Sequence, residues 1–219
     1  DDFALVDVTT QFPAGTITAV LGPNGAGKST LITLLSTIAR PTEGHIFLDD
    51  QQVAQNDVST RARIGYVGHK TMLYGSLTAR ENLTFFGRMY GVVNSEEKVV
   101  EQLEKVGLTR DADRPIDDFS RGMAQRLTIA RALLPAPSLV LLDEPFTGLD
   151  QSGIEMAKRL FTELRDEGAI LILVSHDLSV TASLADRILV LRRGRVVYEG
   201  GFENDLTSTY HQALQGGLT

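Results

Sequence analysis

The chain of 219 residues has no cysteine. That excludes disulfide frameworks, thiol catalysis and cysteine-bound zinc, and it is compatible with a reducing cytosol. A chain this long buries enough core to fold without such staples. It has no apolar run of about 18 residues, the length a membrane-spanning helix needs. The longest aliphatic stretches, Ala169 to Val174 and Leu139 to Leu142, suit buried strands instead. Basic residues are in deficit, 21 Lys and Arg against 28 Asp and Glu, for a net charge of −7. Such a chain is a poor generic partner for nucleic acid or anionic lipid. Internal repeats, low-complexity tracts and a signal-peptide pattern are also missing, and the start at Asp1-Asp2 in place of Met reads as a trimmed end.

What is present alternates between apolar strand-like runs and amphipathic helical stretches, the pattern of an α/β fold with a largely parallel sheet. Ile17 to Leu21 predicts a short buried strand running into a Gly-rich turn, followed by a helix from Lys28 to Ala39 that stops near Pro41. Ile46 to Leu48 and Ile64 to Val67 predict further strands. Thr78-Ala-Arg-Glu81 is a capping box opening a helix. Ser95 to Val106 predicts a second helix with Gly107 as its stop, and a third follows Ser120 and ends at Pro135. Strand Leu139 to Leu142, helix Ile154 to Arg165 and strand Ile170 to Val174 come next. Ile188 to Leu191 and Val196 to Tyr198 flank Arg193-Gly194 as a hairpin, and everything from Gly200 onward is polar and weakly patterned. Residues 70–135 therefore read as a helical lobe inserted into an α/β core.

Three segments carry chemistry. Gly22-Pro23-Asn24-Gly25-Ala26-Gly27-Lys28-Ser29, with Thr30 after it, fits G-x-x-x-x-G-K-[ST] between a strand and a helix. Glycines let backbone N–H groups approach phosphate oxygens, and the helix N-terminus adds partial positive charge. Lys28 reaches the β- and γ-phosphates, and Ser29 offers its hydroxyl to Mg²⁺. Leu139-Val-Leu-Leu142 is an apolar strand ending in Asp143 and Glu144. Asp143 is placed to hold Mg²⁺ and Glu144 to polarise an attacking water. Together these segments imply hydrolysis of a nucleotide bound with Mg²⁺.

Phe119-Ser120-Arg121-Gly122-Met123 opens a helix shortly before the acidic strand. Here the chain resembles the ATP-binding cassette (ABC) family, whose signature Leu-Ser-Gly-Gly-Gln occupies that place. Ser120 and Gly122 match; Phe119, Arg121 and Met123 depart. Gly148-Leu149-Asp150 resembles the family's D-loop, and Ser175-His176-Asp177 its switch histidine. The resemblance spans about residues 4–200. It implies a P-loop NTPase core of ABC ATPase type with an inserted helical subdomain and an antiparallel β portion. The whole would be a single domain over 1–219, with its core at about 1–69 and 136–219 and its helical part at about 70–135.

The resemblance also assigns roles. Glu144, His176, Lys28 and Asp150 would be catalytic. The P-loop residues Gly22 to Thr30 would hold ATP, together with Ser120 and Gly122 acting on the opposite subunit's γ-phosphate. Ser29 and Asp143 would hold the metal. His69 stands where the family usually has a Gln that touches Mg²⁺. Its protonation would disfavour approach to the cation, so turnover is expected to fall at mildly acidic pH; the alternative is that His69 sits off the site with a solvent contact. The adenine-stacking aromatic of the family would precede Asp1, and Phe3 reads as an ordinary strand residue.

Gly68-His69-Lys70 and Leu77-Thr-Ala-Arg80-Glu81-Asn82-Leu83 resemble the ATPase subunit of the bacterial haem exporter of cytochrome c maturation. Phe119-Ser-Arg-Gly-Met123 also resembles exporters of drugs and polysaccharides. The implied protein is a motor subunit at the cytoplasmic face of the inner membrane. It would be peripheral without membrane insertion, homodimeric, bound to integral membrane transporter subunits and free of nucleic acid. Met72, Leu73 and Tyr74 would be the contact residues, or core packing of the lobe. Two rivals remain open: a non-transport cassette protein acting on ribosomes or nucleic acid, and a P-loop kinase. A third, an inactive nucleotide-binding module, is disfavoured by the intact Glu144.

Overall fold

A computed structural model describes residues 3–53, 58–202 and 205–216. The first two residues, where the trimmed start was read, lie outside the described residues. A six-stranded sheet forms the centre, in spatial order β4-β5-β6-β1-β7-β8. Its members are β1 (Thr16–Leu21), β4 (Ile64–Val67), β5 (Leu139–Asp143), β6 (Ile170–Val174), β7 (Arg187–Arg192) and β8 (Arg195–Gly200). The first five are parallel neighbours, and β8 returns antiparallel through the Arg193-Gly194 turn. A separate two-stranded hairpin joins β2 (Phe47–Leu48) to β3 (Gln51–Gln52). Asp49 and Asp50 both have positive φ, as a tight primed turn requires.

The strand residues sort by alternation. Val140 and Leu142 of β5, with Leu171 and Leu173 of β6, face one apolar cluster; Leu139, Leu141, Ile172 and Val174 face another. Buried on both faces, these strands read as continuous aliphatic runs. The first face is covered by α3 (Ala79–Met89), α4 (Ser95–Lys105), α5 (Arg121–Leu133) and α6 (Gln151–Asp166). The second is covered by α1 (Lys28–Leu35) through Leu31 and Ile32, and by Leu48 of the hairpin. The short helices α2 (Val58–Ala62) and α7 (Leu178–Ala182) lie in the connections before β4 and β7. Between β4 and β5 the chain carries α3, α4 and α5. Thr78 caps α3 in a full capping box with Glu81, and Gly107 follows α4 at φ 70°.

Three expectations are corrected. The first helix ends at Leu35 and not Ala39, because Ser36 caps it and buried Thr37 turns to φ 61°. Arg61 Nε donates to the Thr37 hydroxyl there. The polar C-terminal stretch forms α8 (Leu206–Gln215), capped by the Asp205 carboxylate. Leu206 and Ala213 bury against Ala19, Leu21, Ile188 and Val190. Phe3 is exposed and joins no strand. The segment after it is fixed instead by the Val6 N–H donating to Gly194 O, and by Ala4 and Leu5 lying against Gly27.

Candidate active site

β1 delivers the chain into the turn Gly22–Gly27, and α1 opens at Lys28. Gly27 caps the helix at φ 105°, and a Cβ there would lie 2.6 Å from Ala4 O and from Leu5 Cδ2. Only glycine fits this combination of left-handed backbone and close approach. Gly25 also has positive φ, 77°, but its surroundings are open. Lys28 folds back over the loop, its Nζ donating to Gly22 O at 2.6 Å and Pro23 O at 3.1 Å. Burial lowers the ammonium below its ordinary value, while Glu144 and Asp143 pull it up. The lysine thus stands within electrostatic reach of both acids.

β5 carries those acids out of the sheet. Glu144 takes φ 55°, a left-handed conformation that turns its side chain away from the strand direction. Its backbone N–H donates to Val174 O, locking the turn to the end of β6. Glu144 Oε1 is buried without a hydrogen-bond partner. Burial raises the Glu144 carboxyl above its ordinary value, opposed by the His176 backbone N–H and imidazole. Asp143 is raised for the same reason, opposed by His69, His176 and Lys28.

His176 follows β6, and its Nε2 stands 3.6 Å from Glu144 Oε1. That is beyond a hydrogen bond and within ionic range. His69 follows β4 and lines a cavity of about 70 Å³ with Glu144, Arg121, Gln125 and Thr147. The structure therefore brings together Lys28, Asp143, Glu144, His69 and His176 from four separate strand ends. Among the described residues no cluster of three or more His, Asp or Glu forms a metal cage. The donor set still fits Mg²⁺, which is usually held by one or two carboxylates with substrate phosphates. An orphaned, buried carboxylate oxygen beside a second, half-buried carboxylate is what such a cation would compensate.

The remaining predicted residues lie apart from this cluster. The Ser120 hydroxyl accepts from Met123 N–H and caps α5. Gly122 passes close to Gly148, where an added Cβ would sit 2.8 Å from the Gly148 carbonyl oxygen. Asp150 caps α6 by accepting from Gly153 N–H, and it pairs with Arg126 of α5 at 2.9 Å. Among the described residues no hydrogen bond or ion pair joins Ser120, Gly122 or Asp150 to the P-loop.

Sequence reasoning assigned no role to Arg121, which reaches the Glu144 cavity and lies along Gly148. It also passed over Arg131, buried beneath β4. The one signal for Arg131 was a cation within the largely apolar run from Leu127 to Leu133 of α5.

A P-loop joined to a half-buried acid pair, under a largely parallel sheet with helices inserted between β4 and β5, defines a nucleoside-triphosphatase cassette. The sequence matches the ABC transporter family over residues 5–147, and the chain belongs to that family and is an ABC ATPase domain. It is 34% identical to the ABC transporter ATP-binding protein NatA of Bacillus subtilis over 204 residues, 92% of this chain and 83% of NatA. It is 36% identical to the lantibiotic transport ATP-binding protein SrtF of Streptococcus pyogenes, over 91% of this chain and 85% of SrtF. Among solved structures, the ATP-binding subunit of an ABC transporter superposes with TM-score 0.89 at 29% identity, covering 96% of this chain and 93% of the other. A dimeric ATP-binding cassette in a post-hydrolysis state with ADP and Pi superposes with TM-score 0.82 at 30% identity, covering 92% and 91%.

Proposed function

We propose that this chain is the ATP-hydrolysing motor subunit of an ABC exporter whose membrane subunits are separate polypeptides. The observation that carries the reading is the half-buried Asp143–Glu144 pair facing Lys28 and His176 across the ends of β5, β1 and β6. Glu144 accepts the proton of the attacking water, and burial makes it a stronger base than a surface glutamate. His176 holds that carboxylate and the water in line. Lys28 leaves its loop carbonyls to meet the phosphates, adding a positive charge where negative charge develops. Ser29 and Asp143, with His69 beside them, would hold Mg²⁺, which supplies charge neutralisation on the transferring phosphoryl group.

A head-to-tail homodimer would place Ser120 and Gly122 of one copy over the nucleotide of the other. That a cassette of similar fold forms a dimer supports the pairing of two copies. No helix among the described residues is long and apolar enough to cross a membrane. The proposed location is peripheral, at the cytoplasmic face, held by integral partners. Met72, Tyr74, Phe85 and Met89 form an exposed apolar surface on the helical segment, and this is the proposed docking face. Nucleic acid is not proposed as a partner, given the acidic charge.

Two substrate classes follow from different observations. Gly68-His69-Lys70 and the α3 helix sequence favour haem; the similarity to SrtF favours a lantibiotic-like peptide. Affinity capture of the Glu144→Gln variant from membranes, held with ATP, tests the reading. Recovery of an integral membrane protein supports it, and that partner's cargo separates the two classes. Capture of ribosomes in its place would overturn it.

A further inference from the structure

Arg131 lies in the middle of α5 with 4% of its surface exposed. Among the described residues no carboxylate pairs with it. Its terminal nitrogen donates to Tyr66 O of β4 at 3.0 Å, and its guanidinium sits 5.1 Å from the centre of the Phe86 ring of α3. Its Nε is buried without an acceptor. Where stability alone is concerned, an apolar side chain of similar volume would serve at least as well as a buried cation lacking a counter-ion.

The two contacts of Arg131 belong to different parts of the molecule. Tyr66 lies in the strand that delivers His69 to the Glu144 cavity. α5 presses directly on this strand, since a Cβ on Gly65 would come within 2.7 Å of Ala132 O. Phe86 belongs to the helical segment, stacked on Tyr74 at 6.0 Å and edge-on to Phe85 at 5.3 Å. Tyr74 is exposed, and buried Asn82 pins its loop by accepting from Tyr74 N–H and donating to Tyr74 O. A continuous line of packed groups thus runs from Tyr74 through Phe86 and Arg131 to the β4 backbone.

We propose that Arg131 is a positioning residue that transmits displacement of the Tyr74 surface to His69. The idea rests on the docking face proposed above, although the linkage itself lies wholly within one chain. A load on Tyr74 tilts the Phe86 ring. The planar guanidinium, placed over that ring and donating to the Tyr66 carbonyl, carries the tilt into β4. An ammonium in its place keeps the charge but not the fork, so Arg131→Lys restores only part of the effect.

The four histidines allow a direct test, because each imidazole gives its own NMR signal. Tyr74→Ala is expected to shift the His69 signal in otherwise wild-type protein and to leave His45 and His211 unmoved. In an Arg131→Met background the same Tyr74→Ala change is expected to leave His69 unmoved. Turnover of Arg131→Met falls about tenfold with KM for ATP unchanged, in the range seen for residues that couple two sites. Should Arg131→Met fail to fold, Phe86→Leu interrupts the same line while keeping the cation, and the comparison is read there. The proposal is overturned if Tyr74→Ala leaves His69 unmoved in wild type, or moves it equally when the line is cut. No membrane partner enters this experiment, so failure to capture one leaves its result standing.

Discussion

The imidazole Nε2 of His176 stands 3.6 Å from Oε1 of Glu144, and that oxygen is buried with no hydrogen bond. A carboxylate oxygen left open in this way, at the end of a strand and at positive φ, is poised to take a proton from something that binds there. Replacing Glu144 with Gln keeps the shape and removes the basicity. Turnover is expected to fall by about a hundredfold or more, the range for loss of a general base. Binding of ATP, followed by a fluorescent analogue, is expected to stay within about twofold. Full turnover in this variant would remove Glu144 from its role.

Acidity acts on stability and activity with opposite sign. Burial raises both Asp143 and Glu144 above their ordinary values of 3.8 and 4.5. A raised acid holds its proton more tightly folded than unfolded, so its contribution to stability is fully present below the unfolded value. That contribution is lost as pH rises through the folded value. Nucleotide-free protein with Asp143→Asn should therefore gain thermal stability over wild type at neutral pH and lose the advantage in acid. Turnover runs the other way, because Glu144 acts only when ionised. The acid limb of kcat should lie above 4.5, the ordinary glutamate value. A melting-temperature series and a pH–rate profile check the two signs.

Much of this site was legible in the sequence because spacing within one turn fixes it: the P-loop, the acids ending β5 and the histidine after β6 are each set by a strand end. The parts that were not legible depend on distant contacts. Nothing near Thr37 says that Arg61 will meet its hydroxyl and end α1 four residues early. The α8 helix carries only two buried residues, Leu206 and Ala213, too few to stand out as a periodic pattern. Phe3 reads as a strand residue by propensity, but its neighbours Ala4 and Leu5 cover Gly27 instead of pairing in a sheet. Asp150 is placed by its order after the acids, yet capping and the Arg126 pair already engage its carboxylate within this chain.

Two glycines of the P-loop separate strain from steric clash. Gly25→Ala meets open space, so its cost is the left-handed backbone alone, about 1–2 kcal/mol. Gly27→Ala carries the same kind of strain and also drives a methyl to within 2.6 Å of the Ala4 carbonyl, whose segment would have to shift. Its loss of stability should exceed that of Gly25→Ala by about 1–3 kcal/mol, in line with overpacking elsewhere. Urea unfolding of both variants checks the order, and equal midpoints would mean that the Ala4-Leu5 segment does not press on the loop.

Asn82 offers a different kind of test, because it is wholly buried and its amide serves the loop that carries Tyr74. Its oxygen accepts from Tyr74 N–H, and its nitrogen donates to the carbonyls of Tyr74, Leu77 and Thr78. Asn82→Ala leaves the Tyr74 N–H without its acceptor, while the three carbonyls keep backbone donors from Leu77, Ile116 and residue 82 itself. One unmatched donor together with the lost amide bonds costs about 1–3 kcal/mol, which is the expected loss of stability. Asn82→Asp matches the shape but cannot donate, and it would bury a charge or a proton-bearing acid against three carbonyls. It should therefore be at least as damaging as alanine at neutral pH and recover in acid, where the protonated carboxyl supplies one donor. Denaturant midpoints for the two variants at neutral and acid pH decide the matter. A harmless Asn82→Asp would mean that packing, and not this set of hydrogen bonds, holds the Tyr74 loop.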